Sequence, residues 1–83
     1  MHEVHLERAA QRDLRRLQPS EFGRVIAAIR ALANNPRPPG CRKIVGSAND
    51  WRVRVGRLRI IYEVDDADRQ VRVMRVRHRR EAY

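Results

Sequence analysis

Between Phe22 and Ala33 the apolar side chains recur at helical spacing, and from Trp51 onward they recur every second residue. Phe22, Val25, Ile26, Ile29, Leu32 and Ala33 fall at i, i+3, i+4, i+7, i+10 and i+11, which lines one side of an α-helix. Trp51, Val53 and Val55 then share one side of an extended strand, with Arg52 and Arg54 on the other. That change of period is the strongest constraint on the fold. The chain must build a helical layer and a sheet, each with one apolar face, and each face can be hidden only by the other layer. A length of 83 residues leaves room for a single such core, so one domain spans residues 1–83.

The remaining segments fit around this pair. "HEVHL" alternates His2, Val4 and Leu6 against Glu3 and His5, a short strand. "LERAAQRDLRRL" sets Ala10, Leu14 and Leu17 at helical spacing, with Arg8, Arg12, Arg15 and Arg16 mostly off that stripe as a solvated face. Pro19 suits the opening turn of the second helix, where its missing N–H is no loss. "NNPRPPG" ends that helix, and residues 36–50 read as loop. Gly56–Arg57 is a two-residue hairpin turn, "LRIIYEV" a near-continuous apolar strand, "DDADRQ" a polar turn and "VRVMRV" the last strand. The expected architecture is α+β: β–α–α–β–β–β, an antiparallel sheet with an α-hairpin packed on one face.

Charge narrows the function. Nineteen Lys and Arg against ten Asp and Glu give +9 and a pI near 11.5, a balance that attracts polyanions, nucleic acid first. Lys43 is the only lysine. Arginine grips phosphate through a planar fork of two parallel hydrogen bonds. Trp51 and Tyr62 fall to the core. Arg52, Arg54 and Arg59 should meet on the uncovered sheet face, where like charges across strands cost stability unless an anion joins them. Arg57, Arg75, Arg77 and Arg80 extend this surface as candidate RNA contacts.

Cys41 has no pair, and His2 and His5 lie on opposite strand faces without a third ligand, so no disulfide, metal or cofactor is expected. The N-terminus carries acids and lacks an apolar run, and no stretch reaches membrane-spanning length. A cytoplasmic protein without a membrane partner is the expectation.

The whole chain resembles the RelE/ParE superfamily of type II toxin–antitoxin toxins, its RelE-like branch in particular. The resemblance rests on the element order, on "ALANNPRPPGCRKIVGSANDWRVRVGRLRIIYEV" and on the ending "VRHRREAY". Within these, W-R-x-R-V-G-x-x-R-I-I-Y and V-x-H-R-R-x-x-Y occur in the family's order and spacing. The resemblance implies a toxin that cleaves messenger RNA in the ribosomal A site, with contacts to ribosomal RNA, and that a cognate antitoxin neutralises. It implies attack by the 2′-hydroxyl and a cyclic phosphate product. Carried over by motif, the catalytic set is Arg52, Arg54 and Arg59 on the central strands, Arg79 on the last strand, and Tyr83, with His78 where many relatives also have histidine. Some relatives place lysine where this chain has Arg52 and Arg54. An arginine is a poor base, because its pKa lies above about 12. His78, Tyr83 and Glu63 are then the proton-transfer candidates. The parity of His78 with Met74 and Val76 equally allows it to face the core, and Tyr83 is the last residue. Two other readings stay open: a ParE-like inhibitor of DNA gyrase, and a non-catalytic basic nucleic-acid-binding module.

Overall fold

The computed structural model describes residues 1–80. Strand β1 (Glu3–Leu6) is followed by helices α1 (Arg8–Arg15) and α2 (Pro19–Ala31), then strands β2 (Arg42–Lys43), β3 (Asp50–Val55), β4 (Leu58–Asp65) and β5 (Gln70–His78). Pro19 opens α2 as expected, and the Gln18 N–H donates to the Glu21 carboxylate at 3.4 Å, a reciprocal cap on the first turn. The five strands form one sheet in the order β1-β5-β4-β3-β2.

Two features differ from the sequence reading. The sheet is mixed, since β1 pairs parallel with β5 while the other neighbours are antiparallel. Periodicity tells which residues share a face but not which way a strand runs. The other difference is β2, inside the stretch read as loop. Two residues are too few to show a period, and β2 exists only because Arg42 and Lys43 find Arg52 and Trp51 opposite them.

The core forms where the two periods meet. Ala10 and Leu14 of α1, with Val25, Ile29 and Leu32 from α2 and its end, pack on Leu58, Ile60, Tyr62 and Val64 of β4 and on Val71, Val73 and Val76 of β5. All are nearly inaccessible to solvent. Burying each of the aliphatic side chains contributes about 1.5–3 kcal/mol, which gives this small set most of the stabilisation. Trp51, Val53 and Val55 pack against the same cluster from β3 and are only half-buried.

Polar contacts tie the long loop and the open strand edge to this core. The buried Tyr62 hydroxyl donates to the Pro36 carbonyl at 2.7 Å. Burial pushes the Tyr62 pKa up, so the hydroxyl stays a donor. Arg37 reaches Asp66 with two nitrogens at 2.8 and 3.4 Å, and its guanidinium lies 5.0 Å over the Trp51 ring. At the other side of the sheet, β1 ends opposite Val73, so among the described residues the remaining edge of β5 has no strand neighbour. Helix α1 covers it with Asp13, whose carboxylate accepts the Val76 N–H at 2.9 Å and both Nε and Nη2 of Arg75 at 2.9 and 3.2 Å.

Two consequences are measurable. Tyr62→Phe removes the bond to Pro36 and should cost about 1 kcal/mol, read as a lower urea midpoint at unchanged m-value. Acid should act through Asp13. Burial alone raises its pKa, but the Arg75 hydrogen bond, the Val76 N–H and the charges of Arg75 and Arg77 outweigh this and hold it below 3.8. Its stabilising contribution is therefore complete above pH 3.8 and is lost as pH falls through the lower folded-state value. The stability gap between wild type and Asp13→Asn should be flat at neutral pH and narrow in that acid window.

Candidate nucleic-acid interface

The hairpin β3–β4 sets the geometry. Val55 and Leu58 face each other across Gly56–Arg57, and Gly56 has φ +59°, a conformation that side chains resist. A Cβ there would also lie 3.0 Å from the Arg24 guanidinium. The tight turn puts side chains of known parity opposite one another. Helices cover the face of Leu58, Ile60, Tyr62 and Val64, so Arg59, Ile61 and Glu63 belong to the other face.

Cross-strand pairing orders that open face into rows. Arg54, Arg59 and Arg77 stand opposite one another on β3, β4 and β5. The next row holds Arg42, Arg52, Ile61 and Arg75 across β2 to β5. The row after that is Asp50, Glu63 and Arg72, where Arg72 Nη1 meets Glu63 Oε1 at 2.6 Å. Rows two residues apart are about 7 Å apart along the strands. Positive charge is thus concentrated at one end of the face and largely cancelled by acids at the other. Pro39 and Gly40 of the pinned loop, with Arg42, Arg52, Val53, Arg54 and Arg59, enclose a cavity of about 320 Å³. Arg59 is only 9% exposed, although it lies in the centre of the open face.

The expected site residues separate into groups. Arg52, Arg54 and Arg59 come together around the cavity, and Arg77 stands opposite Arg59 in the strand register while bordering a second cleft with Asp13, Arg16, Leu17 and Arg75. Arg75 does not present its fork as a phosphate contact, because that fork is engaged by Asp13. Arg57, His78, Arg79 and Arg80 line a different groove at the end of the sheet, which shares no lining residue with the cavity above. There the Arg79 N–H donates to the Arg57 carbonyl at 2.8 Å. Arg79 lies just past β5 rather than on it. His78 is exposed, so it is no core residue. Its partner across the ladder is Leu58, which places it by parity on the helix-covered side rather than with Arg59. Tyr83 lies outside the described residues.

Sequence reasoning missed Arg42, which sat in an aperiodic loop, and the three hydrogen bonds to Asp13. Asp13 had left a signal: it is the single acid in "RAAQRDLR". Among the described residues, no cluster of His, Cys, Asp and Glu could hold a metal ion, and no helix is long and apolar enough to cross a membrane.

Comparison with known proteins agrees with this fold. The family model described as the ParE toxin of type II toxin–antitoxin system parDE matches residues 4–83. A curated protein of Methanocaldococcus jannaschii that carries the toxin name RelE1 is 30% identical over 83 residues, 96% of this chain and 92% of that protein. The toxin–antitoxin complex RelBE2 of Mycobacterium tuberculosis contains a chain 26% identical at a TM-score of 0.82, covering 93% of this chain and 96% of its own. The archaeal RelE–RelB complex of Pyrococcus horikoshii contains one with the same fold, 22% identical at a TM-score of 0.85, covering 98% of both chains. The chain belongs to the RelE/ParE superfamily of type II toxin–antitoxin toxins, as a RelE-like member.

Proposed function

We propose that this toxin is a ribosome-dependent endoribonuclease that cuts messenger RNA in the A site, stops translation in the cytoplasm and is neutralised by a cognate antitoxin. One observation carries the reading: three adjacent strands hold Arg54, Arg59 and Arg77 in line, with Arg42 and Arg52 in the next row, and Arg42, Arg52, Arg54 and Arg59 line one cavity.

In this reaction the 2′-oxygen forms a bond to phosphorus while the bond from phosphorus to the 5′-oxygen breaks, leaving a 2′,3′-cyclic phosphate. The 2′-hydroxyl proton goes to a base and the leaving oxygen takes a proton from an acid. Negative charge builds on the phosphorane oxygens, and fixed guanidinium groups in a partly dehydrated cleft stabilise it without reorganising. The arginines take neither proton-transfer role, since they do not lose their protons. An imidazole can both accept and donate a proton, and His78 is the described residue suited to that work, with Tyr83 the second candidate. The groove it shares with Arg57, Arg79 and Arg80 then adjoins the cut and carries RNA backbone away from it. The antitoxin is expected to bring an acidic or amphipathic segment that lies over a helix or sheet edge.

The match to the ParE family model keeps gyrase inhibition as a second reading of the same scaffold. Cell-free translation separates the two. Wild type should yield truncated transcripts ending in cyclic phosphate, and Arg59→Ala, with a native circular dichroism spectrum, should cut about 10²- to 10³-fold more slowly. Intact transcripts in the presence of a growth-arresting wild type, with cleaved DNA trapped on gyrase, would reverse the assignment.

A further inference from the structure

Arg77 stands in line with Arg54 and Arg59 only because β5 is irregular. Val71 and Val73 are buried against the helices. Unbroken alternation would send residues 75 and 77 to that same face, and Arg77 into the core. Instead the register slips: Ile61 pairs with Arg75 but Tyr62 pairs with Val73, so Met74 is an extra residue. Past it, Val76 takes the buried position opposite Ile60, and Arg77 comes opposite Arg59.

The segment just past this bulge is held from outside the sheet. Among the described residues no strand lies beyond Val73 to accept the Val76 N–H, and Asp13 accepts it at 2.9 Å. The same carboxylate takes both Arg75 bonds, so one side chain of α1 fixes two consecutive residues between the bulge and Arg77. Asp13 is 8% exposed while the Arg75 side chain is 41% exposed, so the carboxylate is enclosed and its cationic partner reaches it from the surface.

We propose that Asp13 is a positioning residue for the nucleic-acid site: by holding Arg75 and the Val76 N–H it fixes the bulge, and the bulge aims Arg77 into the row with Arg54 and Arg59. The inference rests on the reading of the open face as an RNA site. Its sign distinguishes it from a simple charge effect. Removing an acid beside a cationic site should, by charge alone, strengthen binding to a polyanion. Positioning requires the reverse.

The test is a double-mutant cycle on binding of a short single-stranded oligoribonucleotide, followed by fluorescence anisotropy over a salt series. Arg77→Ala should weaken binding about tenfold and reduce the salt slope by about 0.7, the value for one lost phosphate contact on a single strand. Asp13→Asn should weaken binding comparably, and adding Arg77→Ala to it should change affinity less than about twofold. If Asp13→Asn does not fold by circular dichroism, Asp13→Glu keeps the charge, lengthens the arm and carries the same cycle. The inference is overturned if the Asp13 variant binds as tightly as wild type or more so, or if the Arg77→Ala loss persists in full on its background. It is equally overturned if Arg77→Ala is silent in the wild-type chain. Arg54→Ala and Arg59→Ala separate the two levels. Should neither weaken binding, the RNA reading itself fails; should both weaken it without coupling between Asp13 and Arg77, only the positioning role fails.

Discussion

A strand sends alternate side chains to opposite faces, and this two-residue period governs the molecule. A chain of this size can hide one face of its sheet and no more. Helices α1 and α2 cover the face of Leu58, Ile60, Tyr62 and Val64, so whatever occupies the intervening positions meets solvent or a partner. Here those positions are largely arginine. Pairing across β3, β4 and β5 then puts Arg54, Arg59 and Arg77 directly opposite one another, at a cost that cross-strand like charges always carry. The same pleat that builds the core therefore also builds the cationic surface.

Three acids among the described residues pair with basic side chains outside the Arg54–Arg59–Arg77 row. Glu63 is engaged by Arg72 two rows away, Asp66 by Arg37 and His2 at the loop, and Asp13 by Arg75 at the outer edge of β5. Each of these pairs does structural work: bracing the far end of the open face, pinning the loop that walls the cavity, or closing a strand edge. Tyr62 links the layers, since its ring lies in the core while its hydroxyl holds Pro36, three residues before the Pro39–Gly40 wall.

Much of this was legible in the sequence. The helical stripe from Phe22 to Ala33, the proline-rich stop, the hairpin at Gly56–Arg57 and the shared face of Arg52, Arg54 and Arg59 all follow from local pattern, and local pattern is what a sequence displays. The parallel partner of β1 and the two-residue β2 depend on distant segments meeting, which no window of residues records. The parity change at Met74 is a third case: read as a regular strand, "VRVMRV" hides it. The motif resemblance gathered His78 and Arg79 into one catalytic set with Arg59, whereas the fold sets them in a separate groove at the end of the sheet. Arg75 looked like another phosphate contact because its acid partner lies 62 positions away in the chain.

The account stands on the claim that the Arg54–Arg59–Arg77 row holds a backbone phosphate. The most direct measurement is the shift of arginine Nε–Hε resonances on titrating a trinucleotide whose central sugar is 2′-deoxy, so that binding occurs without cleavage. Arg54, Arg59 and Arg77 should move together and saturate at one affinity, while Arg72 beside Glu63 stays still. Movement of Arg72 and the α1 arginines with the row unmoved would contradict it.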